Sequence, residues 1–76
     1  MASRLFDAAQ KGDVEKLKHL IETCGIDVNS VDKNHSTALH LACDWNHIEC
    51  VRYLLQSNAD STIADNHGRT AMYFAA

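Results

Sequence analysis

The sequence lacks proline altogether and contains only three glycines among its 76 residues. Flexible linkers and low-complexity tracts are rich in such residues, so their scarcity predicts one continuous folded piece. The hydrophobic content of 46% is that of an ordinary folded protein and argues against disorder. Because a chain of this length holds one small core, we expect a single domain.

Long apolar runs and basic clusters are also missing. The longest apolar stretches are a few residues, which predicts no membrane insertion, and residues 1–13 lack the apolar core of a secretory signal. The formal net charge is −3, and the densest cations, Lys11, Lys16 and Lys18, are interleaved with acidic residues. A nucleic-acid footprint needs a basic stripe, so we expect no nucleic-acid partner.

The three cysteines are an odd number without the spacing of a disulfide framework. Cys24, Cys43 and Cys50 therefore read as reduced thiols. Reduced thiols are typical of a reducing compartment, which predicts a cytoplasmic or nuclear protein.

The chain does contain a repeat, with a period of 33 to 34 residues. Shifted by 33, residues 32–43 fall on residues 65–76. The shift is 34 up to the pair of Leu20 and Leu54 and is 33 again at the pair of Asp27 and Asp60, so residues 22–26 carry one extra residue. A period of this size, made of two short helices and a turn, indicates a stack of units that presents a surface.

The repeat divides the single domain into an N-terminal capping unit, a full unit and a truncated unit, at residues 1–31, 32–64 and 65–76. Lys16 and His19 of the first unit stand where the full unit has Cys50 and Tyr53. These substitutions predict that this face of the first unit contacts water, whereas the same face of the full unit contacts a neighbour.

The full unit predicts two helices joined by a tight break. Thr37 is a natural N-cap, and a first helix follows at residues 38–45. Asn46 tolerates a left-handed backbone and would end that helix. The second helix, at residues 48–56, carries apolar residues at helical spacing that we expect to be buried, namely Ile48, Val51, Leu54 and Leu55.

These segments resemble the ankyrin repeat. Residues 32–43, DKNHSTALHLAC, are similar to its opening D-x-x-G-x-T-P-L-H-x-A-A, and residues 46–55, NHIECVRYLL, are similar to G-H-x-x-V-V-x-x-L-L. The resemblance covers nearly the whole chain and implies an all-α ankyrin-repeat solenoid of antiparallel helix-turn-helix units with projecting turns. His35 and Ala38 stand where glycine and proline are usual, which implies a less stable example.

The resemblance also implies a protein-protein interaction module, with a protein or peptide partner, no cofactor and no catalysis. Partners of such repeats dock on the turn tips and on the concave face of the first helices. Carried onto this chain, the partner-binding positions are Lys11, Lys33, Asn34, Ser36, Leu41, Asp44, Trp45, Asn66, His67 and Arg69.

The expected groove mixes charged with apolar residues, namely Asp7, Lys11, Asp44, Leu41, Trp45 and Phe74. Such a mixture suits an amphipathic helix or an extended peptide that carries some basic residues. An accessible Trp45 would be an anchor for the partner, although a cation–π contact with Lys11 would cover its ring.

Histidine and cysteine alternate at His40, Cys43, His47 and Cys50, which invites a zinc site or a thiol nucleophile. On one straight helix this set would span about 15 Å, whereas zinc holds its ligands at about 2.0–2.3 Å. A break at Asn46 would put the two pairs on different helices. A packed Cys43 would be a poor nucleophile, so we expect no metal and no catalysis.

The third unit contains one partial helix, and repeat stacks generally need about three units with a polar cap. The alternatives are therefore a structural or targeting part of a longer ankyrin protein, a truncated product, or a chain that self-associates through its uncovered third unit. Asn29 also resembles an asparagine that is hydroxylated in some ankyrin repeats.

Overall fold

The structure, a computed structural model, describes residues 3–75. Its elements follow in the order α1 (Ser3–Lys11), α2 (Val14–Lys18), a π-helical turn (His19–Thr23), α3 (Ala38–Asp44), α4 (Ile48–Gln56) and α5 (Ala71–Ala75). Over these residues the fold is all-α, as predicted, with a single isolated antiparallel bridge between Val31 and Thr37. None of the described helices has the length and apolarity that crossing a bilayer requires.

The helices form two hairpins and a fifth helix, stacked side by side. Helix α1 packs on α2 and α3 packs on α4, while α3 lies between α1 and α5. Helix α4 also packs on α2, so first helices form one layer and second helices another. This arrangement confirms the predicted solenoid of helix pairs.

Each hairpin turns at a residue with a left-handed backbone. Gly12 has φ of 76° and Asn46 has φ of 60°, at equivalent places after α1 and α3. His47 packs over Gly12, where a Cβ atom would lie 2.6 Å from the imidazole Nδ1. The first position therefore requires glycine for two reasons, whereas asparagine suffices at the second.

Helix α3 begins as the sequence predicted. The backbone N–H of His40 donates to the Thr37 hydroxyl at 3.3 Å, and the backbone N–H of Thr37 donates to His40 Nδ1 at 3.1 Å. This reciprocal cap satisfies two N–H groups that the first turn would leave unpaired. The helix ends at Asp44, one residue earlier than expected, with Trp45 as its C-cap.

A π-helical turn absorbs the extra residue of the first unit. The backbone N–H of Cys24 donates to the carbonyl of His19 at 3.1 Å, an i to i+5 bond. Such a turn holds one more residue than an α-helical turn. The insertion predicted at residues 22–26 thus overlaps the turn at His19–Thr23, and the units stay in register.

Burial on α4 differs from the prediction at two of four positions. Leu54 is fully buried and Val51 is half-buried, but Ile48 is 54% exposed and Leu55 is 47% exposed. The expected burial of Ile48 and Leu55 was wrong because no helix in residues 3–75 packs on that side of α4. The spacing of apolar residues located the face correctly but could not supply its neighbour.

The opposite face of α4 meets the first hairpin, as predicted. Cys50 and Tyr53 are buried, whereas the equivalent Lys16 and His19 are exposed. The Tyr53 hydroxyl donates to Glu22 Oε2 at 2.7 Å and ties α4 to the π-helical turn. The first hairpin therefore turns a polar face to water and an apolar face to the stack.

Candidate partner-binding groove

A concave groove of about 370 Å³ lies between α3, α5 and two turns. Its lining residues come from all four elements and are Asp32, Asn34, Ser36, His40, Leu41, Asp44, Asp65, His67, Arg69 and Phe74. We call this lining the groove. Six of the ten partner-binding positions from the sequence belong to it: Asn34, Ser36, Leu41, Asp44, His67 and Arg69.

One wall of the groove is the turn at residues 32–36, which we call the first turn. Asp32 Oδ1 accepts backbone N–H groups from Asn34 at 2.8 Å and from Ser36 at 3.0 Å. His35 has φ of 62°, a conformation that L side chains rarely adopt, and its Nδ1 lies 2.9 Å from the carbonyl of Ala64. The aspartate therefore organises the turn, and the histidine holds it to the next unit.

The turn at residues 65–69, which we call the second turn, has the same backbone with an added ion pair. Asp65 Oδ1 accepts the N–H groups of His67 at 2.8 Å and Arg69 at 2.9 Å, and Asp65 Oδ2 accepts from Arg69 Nε at 3.0 Å. Desolvation by itself raises the pKa of Asp65. The hydrogen bonds from Arg69 and His67 and the arginine charge outweigh it and lower that pKa.

His40 connects α3 to the second turn. Its Nδ1 accepts from the backbone of Thr37, so Nε2 carries the proton and donates to the carbonyl of Arg69 at 2.8 Å. The Phe74 ring meets the imidazole edge-on at 5.9 Å, and the Arg69 guanidinium lies 5.0 Å from the Phe74 ring centre. These contacts fix the floor of the groove and join α3 to the next unit.

Two acidic side chains of the groove have no cationic partner. The ion pairs within residues 3–75 are Lys11 with Asp7 at 3.3 Å and Arg69 with Asp65 at 3.0 Å. Asp44 is exposed and takes part in neither. At Asp32 the turn hydrogen bonds all go to Oδ1, which leaves Oδ2 without a bond from any described residue.

Four of the predicted positions lie outside the groove. Trp45 is 53% exposed at the end of α3. Lys11 pairs with Asp7, and the expected cation–π contact with Trp45 is absent among the cation–π contacts of residues 3–75. At the turn tips, the side-chain amide of Asn66 donates to the Lys33 carbonyl at 3.4 Å. Asn66 and Lys33 thus join the two turns at their tips.

The alternating histidines and cysteines do not converge. His47 Nε2 lies 2.9 Å from the carbonyl of Gln10 and joins the two hairpins, while His40 contacts the second turn. Burial raises the pKa of the Cys43 and Cys50 thiols, which makes them poor nucleophiles. Residues 3–75 contain no group of three or more histidine, cysteine or acidic side chains placed to hold a metal ion.

Asn29 lies at the junction between the capping unit and the full unit. Its Oδ1 accepts the backbone N–H of Asp60 at 2.7 Å, and its own N–H donates to Asp27 Oδ1 at 2.9 Å. The side chain therefore has a structural role that spans the repeat period.

Asp32, His40 and Asp65 are the groove residues that sequence reasoning did not place there. The two aspartates served only as markers of the repeat, since the carboxylate of a turn aspartate normally accepts hydrogen bonds from backbone N–H groups. The sequence signal that distinguishes Asp32 from Asp65 lies four residues further on, because Ser36 and Arg69 are equivalent positions at the shift of 33. A comparison of equivalent positions for charge would have found it.

Several curated proteins share this sequence pattern. Ankyrin repeat domain-containing protein 40 of Mus musculus is 47% identical over 66 residues, and that of Homo sapiens is 46% identical over 66 residues. Each match covers 86% of this chain and 18% of the relative. The eye-specific diacylglycerol kinase of Drosophila melanogaster is 48% identical over 50 residues, or 66% of this chain and 3% of that protein. The chain thus spans less than a fifth of the relatives it matches.

Solved structures share the fold. The crystal structure of the human ASB11 ankyrin repeat domain superposes with a TM-score of 0.86 at 37% identity, covering 93% of this chain and 32% of that one. A chain from the complex of the predatory endopeptidase Bd0816 of Bdellovibrio bacteriovorus with immunity protein Bd3460 gives a TM-score of 0.88 at 33% identity, covering 95% and 37%. A family model of ankyrin repeats in three copies matches residues 5–76. With the stacked hairpins described above, these matches show that the chain belongs to the ankyrin-repeat family.

Proposed function

We propose that the chain is an interaction module that presents the groove, its turn tips and Trp45 to a protein or peptide partner. The observation that carries this proposal is the combination of a rigidly held floor with unpaired polar groups. His40, Arg69 and Phe74 are fixed by mutual contacts, while Asp44 remains exposed. A preorganised surface binds at a lower entropic cost than a mobile one.

The family supports the same proposal. Ankyrin repeats are protein-protein interaction modules, and the neighbouring structure with Bd0816 is itself a complex with an immunity protein. The finer assignment to the groove rests on the geometry of this chain alone. Its experiment is a binding measurement on the chain with a partner selected from a display library.

The proposed binding surface predicts that alanine at Trp45, beside the groove, and at Asp44, within it, weakens binding of the selected partner. Loss of an interface tryptophan commonly costs 2 kcal/mol or more, which is about thirtyfold in affinity. Glu49→Ala, on the exposed side of α4, is the matched control and should leave affinity unchanged. Unchanged affinity in both variants would show that partners dock elsewhere.

We further propose that the chain has no catalytic activity or cofactor of its own and resides in the cytoplasm or nucleus. The match to diacylglycerol kinase covers 3% of that enzyme and therefore carries no activity over. The free state of Cys24, Cys43 and Cys50 supports a reducing compartment. Fluorescence microscopy of the tagged protein tests the compartment, and a secretory location would contradict it.

A second proposal is that the chain forms the first part of a longer ankyrin array. Its support is the apolar surface on the far side of α4 and α5, where the exposed residues are Ile48, Leu55, Met72 and Tyr73. A further helix pair would cover these side chains, as α3 and α4 cover the first hairpin. Sequencing the transcript beyond the codon for residue 76 tests it, because a stop codon there would exclude the longer array.

Self-association would cover the same apolar surface by a second copy. Sedimentation of the chain against a Leu55→Lys variant tests this outcome. A parent chain that is dimeric and a variant that is monomeric would favour self-association. If the parent chain and the variant are both monomeric at the same concentration, self-association through this surface is excluded.

A further inference from the structure

The first and second turns have the same backbone but differ in how they satisfy the aspartate. In both turns the N–H groups two and four residues onward bind Oδ1. In the second turn, Oδ2 of Asp65 also receives the Arg69 guanidinium at 3.0 Å. The first turn has Ser36 in place of that arginine, so Oδ2 of Asp32 lacks the equivalent bond.

We propose that the groove binds an arginine of an extended peptide at Asp32, and that this arginine occupies the position Arg69 holds beside Asp65. The proposal rests on the proposed function and names the partner's chemistry. A guanidinium suits the site because its planar donors pair with a carboxylate, as the second turn already demonstrates within the chain. Asp44 lines the same groove and adds a second unpaired negative charge.

The groove also provides an apolar surface beside this acidic wall. Leu41 on α3 is half-buried, and Phe74 on α5 is partly covered by Arg69 and His40. An apolar side chain next to the peptide's arginine would pack on Leu41 and Phe74. The occupant is therefore an extended segment with an arginine adjacent to leucine, isoleucine, valine or phenylalanine.

The charge balance of the groove favours a cationic occupant. Its acidic members are Asp32, Asp44 and Asp65, and its only permanent cation is Arg69. Because Arg69 is neutralised by Asp65, the groove retains the charges of Asp32 and Asp44. An acidic peptide would be repelled, and a purely apolar one would leave both carboxylates desolvated and unpaired.

The experiment selects short random peptides on the intact chain by display and resynthesises the strongest binders. We expect arginine beside an apolar residue in these peptides. Replacing that arginine by citrulline, or Asp32 by asparagine, should each weaken binding about tenfold to hundredfold. Asn keeps an Oδ1 acceptor for the turn, so Asp32→Asn removes the charge and preserves the local hydrogen bonds.

Combining the two changes supplies the sharper readout. If the arginine contacts Asp32, the double change should cost little more than either single change, because both remove the same interaction. Fully additive losses would overturn the assignment to Asp32. A second variant, Ser36→Arg, recreates the intramolecular pair of the second turn and should block arginine peptides. Gln56→Arg adds the same charge on exposed α4 and should not.

The outcomes separate this inference from the proposed function. Peptides that lose affinity with Asp44→Ala but contain no arginine, or that bind the Asp32→Asn variant as tightly as the parent chain, would overturn the inference and leave the groove as the binding surface. If no variant of the proposed surface changes the affinity of the selected peptides, or if the selection yields no binding peptide, both the inference and the proposed function are overturned.

Discussion

The second segments of the two hairpins carry apolar residues at equivalent positions, but these residues are half-buried in the first hairpin and exposed in the second. Val14 and Ile48 are equivalent at the shift of 34, as are Ile21 and Leu55. Val14 and Ile21 are half-buried against the core in the hairpin whose α2 packs on α4, whereas Ile48 and Leu55 are exposed. Burial in a stack therefore depends on the next unit as much as on the residue itself.

The opposite faces of the same helices show where sequence does adapt to position. Lys16 and His19 are exposed on the first hairpin, and Cys50 and Tyr53 are buried at the equivalent positions. Polar residues occupy the face of the first hairpin that no described residue covers. On the far side of α4, by contrast, the uncovered side chains of Ile48 and Leu55 are apolar.

The largest expected effect comes from two adjacent leucines on α4. Leu54 is fully buried and Leu55 is 47% exposed. Leu54→Ala should reduce the free energy of unfolding by about 2–5 kcal/mol, since it leaves a cavity between the hairpins. Leu55→Ala should change it by less than about 1 kcal/mol when the chain is monomeric. Urea denaturation at low protein concentration measures both values.

The Leu54→Ala and Leu55→Ala variants also test whether a second copy of the chain covers the exposed face of α4. A loss at Leu55 that grows with protein concentration would show that a second copy packs on this face. Equal losses at Leu54 and Leu55 in dilute monomer would contradict the burial difference between them. The first hairpin offers a comparison in Ile21→Ala, which should cost more than Leu55→Ala because Ile21 is half-buried against the core.

A smaller effect is expected at the two tyrosines. The Tyr53 hydroxyl donates to Glu22 across the hairpin junction at 2.7 Å, and Tyr53 is 9% exposed. Tyr53→Phe removes that bond to a charged acceptor and should destabilise the chain by about 1–2 kcal/mol. Tyr73 is 64% exposed, so Tyr73→Phe is the matched control. An equal effect of the two substitutions on the urea midpoint would contradict a structural role for the phenol of Tyr53.

The fold was predictable because each level of the sequence agrees with the next. The period, the Thr37 cap, the left-handed Asn46 and the small residues of α3 all specify one helix hairpin. The one-residue insertion was also visible, although its form as a π-helical turn was not. Comparing the repeats shows that one residue is inserted. The type of helix that results depends on how the backbone accommodates that residue, which the comparison does not show.

The groove was predictable only in part. The concave face that the resemblance implies for the first helices led to Asp44 and Leu41 on α3. It did not lead to Asp32. The Oδ2 atom of Asp32 is left without a hydrogen bond from any described residue because the backbone N–H groups of the turn both donate to Oδ1, and because Ser36 stands where the second turn has Arg69. Such a difference appears only when side-chain contacts of equivalent turns are compared.

The smallest expected effect tests these two turns through pH. The pKa of Asp65 is lower in the folded chain than its ordinary value of 3.8, because hydrogen bonds and the Arg69 charge outweigh desolvation. As pH falls, the unfolded chain therefore takes up the proton first. The stabilisation is complete above about pH 4 and is lost as pH falls through the folded pKa.

Asp65→Asn should accordingly be less stable than the parent chain at about pH 7, and the difference should be smaller at about pH 3, below the ordinary aspartate pKa. Asp60, whose pKa the Thr62 hydroxyl and N–H lower, titrates in the same window, but it is present in both proteins and cancels in this difference. Asp32→Asn should have a smaller effect at about pH 7, since no described cation pairs with Asp32. Urea midpoints at the two pH values measure all three proteins. A loss at Asp32 as large as that at Asp65 would mean that the first turn already has a cation at its carboxylate, and would remove the physical basis for placing a partner's arginine there.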